Sequence, residues 1–223
     1  MNIQQIWRYP VKSMAGERVD AARVTEAGIE GDRGIQVRNK SGRTVTSRTH
    51  PQLFGFHATT SDSGEVLIDG RPWDSPKILE QVQRTAGPGA RLVRDETQDR
   101  FDILPLLVAT DGAIAAFGRD VRRLRPNIVV GGVAGLKERG WQGGQLLVGH
   151  GAESIVIGVH DLRGRCIMTT FDPDTQSHDP EVLRDIVKRF GGKLALNCEV
   201  IQGGVIKVDQ EVRFVGAGTG SEY

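Results

Sequence analysis

Apolar residues in this chain come mostly in short runs, separated by glycine, asparagine, aspartate, serine and proline. Runs of this kind, rich in Val, Ile and Leu, predict strands rather than helices. They fall at residues 3–9, 21–24, 35–38, 66–68, 92–94, 106–109, 128–131, 146–148, 154–160, 166–169, 195–201, 205–208 and 211–215. Asn39-Lys40-Ser41-Gly42 and Ser61-Asp62-Ser63-Gly64 have the composition of hairpin turns. Three stretches switch to a helical period. Residues 77–85 follow Pro76 and stop before Gly87. Residues 112–124 put Ile114, Phe117, Val121 and Leu124 on one face, with Asp111 as N-cap. Residues 181–190 take Asp179 as N-cap, Pro180 at the first helical position and Gly191 just past the end. Their apolar stripe is Leu183, Ile186, Val187 and Phe190, and both stripes read as core-packing faces.

Strands and helices do not alternate, which argues against a doubly wound parallel sheet. A mixed α/β protein, mostly β, with barrel-like sheet and a few peripheral helices fits better. A boundary is expected near residues 99–105, dividing a β-rich region, 1–105, from a second domain, 106–223. No internal repeat or low-complexity segment appears.

Composition narrows the class. The chain has 223 residues, 38% hydrophobic and 26% charged, as in a globular protein with a real core. The net charge of +1 gives no global field for nucleic acid or a membrane surface. The N-terminus lacks the apolar stretch of a signal peptide, and no run reaches the roughly 20 residues of a transmembrane helix. A cytoplasmic protein is therefore expected. Cys166 and Cys198 are too few for a disulfide framework, so free thiols are expected. The glycine-rich tail, 216–223, is expected to fray.

Five stretches could carry chemistry. In Tyr9-Pro10-Val11-Lys12-Ser13 a strand meets a proline, and the chain then presents a cation beside a hydroxyl, a pair suited to phosphate or to a solvated strand end. In Glu30-Gly31-Asp32-Arg33-Gly34 the arginine could reach a phosphate or make a surface ion pair. Arg125 and Asn127 share a face at a strand mouth, where they could grip an oxygen-rich ligand or cap helix carbonyls. Thr110-Asp111-Gly112 opens a helix, whose free N–H groups suit an anion unless Asp111 caps them. Cys166 follows Arg163 and Arg165. In an extended segment the arginines face away from the sulfur yet still favour thiolate through their field. Cys166 is either a small core residue or a ligand or nucleophile, while Cys198 reads as core. The histidines lie at no metal-finger spacing, and no phosphate-binding glycine loop is present.

Taken in order, Tyr9-Pro10-Val11-Lys12-Ser13, Gly31-Asp32-Arg33, Arg125-Pro126-Asn127-Ile128-Val129 and Arg165-Cys166-x-x-Thr169-Thr170-x-Asp172-Pro173-Asp174-Thr175 resemble the MOSC-domain family. The branch they resemble has an N-terminal β-barrel region and includes the mitochondrial amidoxime-reducing component. Gly203-x-Val205-Ile206-Lys207-Val208 and Glu211-Val212 fit its closing strands. The resemblance implies a β-barrel that holds molybdenum cofactor, a pterin with a phosphate tail. It makes Cys166 the protein's sulfur ligand to molybdenum and sets Lys12, Ser13, Arg33, Arg125 and Asn127 near the pterin and its phosphate. Thr110 and Asp111 fall where the family has polar contacts, and Asp111 is the candidate proton relay. A soft thiolate suits a soft metal already held by sulfur. Met14 stands where many members carry cysteine, and Asp209-Gln210 where they carry Gly-Asp. The ferredoxin-like domain of some bacterial relatives does not follow, so a reductase would draw electrons from a separate donor protein. Two functions result. One is reduction of small N-oxygenated, N-hydroxylated compounds. The other is a carrier of cofactor or sulfur without turnover, although the pyridoxal phosphate domain of cofactor sulfurases is absent.

Overall fold

The computed structural model describes residues 1–95, 97 and 100–216, the side chain at 152 excepted. The chain opens with strands β1 (Asn2–Arg8), β2 (Glu17–Val19), β3 (Ala21–Thr25), β4 (Gly28–Ile29), β5 (Ile35–Arg38) and β6 (Thr44–Val45). After a 3-10 turn, Pro51–Gly55, come β7 (Ala58–Thr60), β8 (Val66–Ile68), β9 (Arg71–Pro72), helix α1 (Pro76–Ala86) and β10 (Arg91–Arg94). The second half runs β11 (Leu106–Thr110), α2 (Asp111–Phe117), β12 (Ile128–Gly131), β13 (Gln145–Val148) and β14 (Ile155–Gly164). It ends with α3 (Glu181–Phe190), β15 (Lys193–Gln202), β16 (Gly204–Lys207) and β17 (Val212–Val215).

The main sheet has eight strands in the order β17-β13-β14-β15-β11-β12-β1-β2. It is antiparallel except where β11 and β12 run parallel, Val108 opposite Ile128. The expected barrel is not closed. The ladder has two ends, and the segment entering β17 meets β1 through the bridge Asn2 to Glu211, hydrogen bonds of Ile3 with Asp209 and Gln210, and one from Val212 to Met1. The extensions of β2 and β15 turn off into a separate sheet, β16-β3-β4, instead of closing the first. Gly203 sits at that corner, where a Cβ would lie 2.5 Å from the Val24 carbonyl oxygen.

Packing cuts across chain order. Ile3, Ile6, Ala22, Val24 and Ile29 share a core with strand residues from Leu106 to Val212. A second core joins Val11, Met14, Ile35 and Val37 to Leu53, Ile78 and Val82. A third brings Phe117 and Leu124 against Val182, Ile186 and Phe190.

Local structure departs from the sequence expectation in four places. The helix expected over 112–124 breaks at Gly118, which takes φ +68 and donates its N–H to Ile114 O. A 3-10 turn, Val121–Arg123, follows, capped by Asp120. Thr110, not Asp111, is the N-cap of α2, its Oγ1 accepting from the Ala113 N–H. In α3 the buried residues are Val182, Ile186 and Phe190, while Val187 is 57% exposed. The apolar run is wide, and the third core selects the face. Pro180, not Asp179, stands at the N-cap of α3, although Asp179 accepts from the Glu181 N–H. Residues 166–169 are not a strand: β14 ends at Gly164, and Ile167–Thr170 form a 3-10 turn. The tail at 217–223 and the residue at 99 of the expected boundary lie outside the described residues. Among the described residues no helix is long and apolar enough to cross a membrane.

Candidate functional site

Segments distant in sequence end at one cleft of about 270 Å³. Pro10 has no N–H for the ladder, so β1 stops and the chain turns, Lys12 N donating to Ile35 O at 2.8 Å. Ser13 there has φ +71. The turn after β4 places Arg33 at φ +56, with its N–H on Tyr9 O at 2.7 Å. Arg125, between the 3-10 turn and β12, also has φ +56. Three non-glycine residues in the left-handed region thus line one cleft, a strained arrangement typical of binding sites. The remaining wall comes from the end of β14 and from Cys166.

The cleft is strongly cationic. Lys12, Arg33, Arg48, Arg100, Arg123, Arg125, Arg163 and Arg165 line it, and among the described residues Asp102 is its one carboxylate. Asp102 meets Lys12 Nζ at 3.1 Å, Arg48 at 2.7 Å and Arg163 at 3.7 Å. Burial would raise its pKa, but these three cations outweigh that and hold it below the usual carboxylate range. Arg33 pairs with Asp32, and Arg123 with Asp172 at 2.8 Å.

Arg125 and Arg165 have no carboxylate partner among the described residues. Burial lowers both guanidinium pKa values to about 10, and both stay charged at neutral pH. For Arg165 the neighbouring Arg163 lowers it further and Cys166 offsets this in part. Arg165 donates to Leu124 O at 2.8 Å, yet its buried Nε has no partner. Arg125 stacks on the Tyr9 ring, 4.2 Å from the centroid, and Arg33 lies 5.0 Å from it. The Tyr9 hydroxyl donates to Pro126 O, and burial pushes its pKa up to about 12, so the ring is a neutral platform for the arginines.

Cys166 sits at this cleft with an exposed thiol. Its carbonyl accepts from the Thr169 N–H at 3.0 Å and from Thr169 Oγ1 at 2.9 Å, which anchors the backbone and leaves the sulfur free to bind. The polar turn beyond is structural. Asp172 Oδ1 accepts from the Thr175 and Asp174 N–H groups, while Oδ2 holds Arg123. Cys198 is the opposite case: it is fully buried, and desolvation pushes its thiol pKa up.

Lys12, Ser13, Arg33, Arg125, Asn127 and Cys166 therefore face one cleft. Asn127 serves as a joint, accepting from the Leu107 N–H at 3.1 Å and donating to Asp32 at 3.1 Å. Its amide is largely taken by protein. Thr110 and Asp111 are not part of the cleft and correct the sequence expectation. They lie at the far end of β11, where Thr110 caps α2 and Asp111 accepts from the Gly132 and Val133 N–H groups at 2.7 and 3.0 Å. Asp111 anchors the loop at Gly132 and Val133 and does not line this cleft. Sequence reasoning missed Tyr9 as platform, Asp102 as internal counter-ion, and Arg48 and Arg123. Single arginines scattered along a chain carry no local signal.

The arrangement fits an anionic ligand beside an accessible cysteine. Among the described residues no three His, Cys, Asp or Glu side chains cluster to hold a metal ion.

The family model of the MOSC N-terminal beta barrel domain matches residues 1–101, and that of the MOSC domain matches residues 111–213. The mitochondrial amidoxime reducing component 2 of Macaca fascicularis and of Homo sapiens are each 26% identical to this chain. Each alignment spans 84% of this chain and 72% of the relative. The solved structure of the YuaD protein from Bacillus subtilis has the same fold, with a TM-score of 0.52, 12% identity, and coverage of 95% of this chain and 93% of that one.

Proposed function

Because the chain belongs to the MOSC-domain family, we propose that it binds molybdenum cofactor and reduces N-oxygenated compounds with electrons from a separate donor protein. One observation carries the reading: an accessible thiol opens onto a cleft lined, among the described residues, by eight cations and a single carboxylate. Cys166 would hold the metal. Lys12, Ser13, Arg33 and Arg125 would hold the pterin and its phosphate, with Arg125 and Arg165 offering uncompensated charge. The region up to residue 105 supplies Lys12, Ser13 and Arg33, and the region from 106 supplies Arg125, Asn127 and Cys166, so both halves would be needed. The bound group supplies two-electron redox chemistry, and the protein supplies position and charge. In the net reaction the N–O bond of an N-hydroxylated base is cleaved. Two electrons from the donor and two protons are taken up, and the amine or amidine and water leave.

The test is turnover of a hydroxylated base by cofactor-loaded protein with a chemical reductant; no turnover ends this reading. An exposed ligand thiol is equally what a carrier needs. Transfer of intact cofactor to an apo-enzyme, in the absence of turnover, would select that second function.

A further inference from the structure

A second cavity, of about 170 Å³, lies beside the cationic cleft and shares Arg123, Arg125 and Met168 with it as a common wall. Its character differs. Trp7, Tyr9, Phe54 and Phe171 face it with aromatic rings. The polar handles of these rings are engaged elsewhere, Trp7 Nε1 on Gln5 Oε1 at 2.9 Å and the Tyr9 hydroxyl on Pro126 O at 3.1 Å. The chamber is therefore bounded by aromatic rings whose polar atoms are already engaged. Gly16 keeps the Tyr9 wall in place: a Cβ there would lie 2.5 Å from the tyrosine ring, so the chain runs directly against it. A dry cavity of about 150 Å³ holds one benzene molecule, so this chamber has room for a single ring.

Its charge is unbalanced. Arg122 is held by Asp120 and Asp174, and Arg123 by Asp172. Arg125 lies on Tyr9 and, 5.4 Å away, on Phe54, with no ion pair or side-chain hydrogen bond among the described residues. No carboxylate is among the described lining residues. A guanidinium with open donors attracts an anionic oxygen group and repels a cation.

We propose that this chamber binds a single aromatic ring bearing an anionic oxygen group, the ring between the aromatic walls and the oxygens on Arg125. Its role rests on the function proposed above. The chamber seats the aryl part of the substrate, with the shared wall at Met168 and Arg125 bringing the reactive group to the Cys166 cleft. Aryl hydroxamates and N-hydroxylated aromatic acids are then the preferred class, and aliphatic or cationic compounds the poor one.

Calorimetric titration of the full chain, loaded and free of cofactor, with benzoate, acetate and benzamidinium tests this. Phosphate buffer competes for general anion affinity in the cationic cleft. Benzoate should bind at least 10-fold more tightly than acetate or benzamidinium in the cofactor-free form and keep that order in the loaded form, where Arg125 is shared with the cofactor. Ala15→Leu, which fills the chamber, and Trp7→Ala, which removes a wall at a half-buried position, should each weaken benzoate at least 5-fold. Circular dichroism confirms folding, and a misfolded variant leaves the other to decide. Benzoate binding no better than acetate, benzamidinium binding as well as benzoate, or wild-type affinity in the folded variants overturns the proposal. Molybdenum analysis of the same samples keeps the two ideas apart. Protein that selects benzoate but never takes up molybdenum loses the reductase reading and keeps the chamber.

Discussion

Replacing Cys166 with alanine should empty the site and spare the fold. The thiol is exposed, and the fold uses only the Cys166 carbonyl, which Thr169 binds twice and alanine retains. A surface change of this kind shifts stability by no more than about 0.5 kcal/mol. In a chain of this length that moves Tm by at most roughly 2 °C. Cys198 is the internal control. It is 0% exposed and packs in the main sheet opposite Leu106 and Val159. Removing its Sγ takes one heavy atom from a packed core, comparable with Ile→Val, and costs about 0.5–1.5 kcal/mol. The corresponding fall in Tm is roughly 1–6 °C. The two variants therefore have opposite signatures. Cys166→Ala should melt like the wild type with molybdenum below about a tenth of its content, since even outer-shell changes lower metal affinity 10–100-fold. Cys198→Ala should melt lower and keep its molybdenum. Elemental analysis and pterin fluorescence, normalised to protein and read beside thermal melts, decide. Wild-type molybdenum in Cys166→Ala, or a loss confined to a normally melting Cys198→Ala, refutes the assignment of the sulfur ligand.

Arg125→Gln removes an uncompensated guanidinium from the cleft. Hydrogen bonds to charged groups contribute about 1.5–3 kcal/mol, so phosphate binding by calorimetry should weaken roughly 10–100-fold. Asp102→Asn frees Lys12, Arg48 and Arg163, and phosphate affinity should rise a few-fold, to about 3–10 times the wild-type value. Asp102 has a folded pKa held below its unfolded value, so its stabilisation is present above about pH 4 and is lost as pH falls through the folded value. Any Tm advantage of wild type over Asp102→Asn should close on acidification below about pH 4. Glu138 has the opposite sign. Burial raises its pKa, and its Oε1 has no partner among the described residues. Wild type should lose stability as pH rises from about 4.3 to the raised folded value, and Glu138→Gln should lack that fall in melts from acid to neutral pH.

Much of the local structure was legible. Ile35–Arg38, Val66–Ile68 and Ile128–Gly131 are strands with the expected bounds, and α3 runs Glu181–Phe190 between Asp179 and Gly191. These features rest on side-chain pattern and on glycine and proline chemistry, which act within a few residues. The break at Gly118 was also written locally, in a glycine followed by Arg119-Asp120, and the long stripe from Ile114 to Leu124 masked it. The 3-10 turn after Cys166 was hidden in another way. Ile167 and Met168 look strand-like, while Thr169 closes the turn by binding the Cys166 carbonyl with two donors.

The sequence alone determined most element types, the family and the segments that approach the cleft, because each depends on short-range pattern or on ordered residues within a segment. Tertiary structure alone decided three things. It left the main sheet open, because strand extensions pair among themselves. It showed Asn127 and Asp111 to be held by backbone partners far along the chain. It gathered arginines from 33 to 165 around one thiol, with Asp102 among them and Arg125 and Arg165 without a carboxylate partner among the described residues. Charge balance at a site depends on distance in space, and separation along the chain does not encode that.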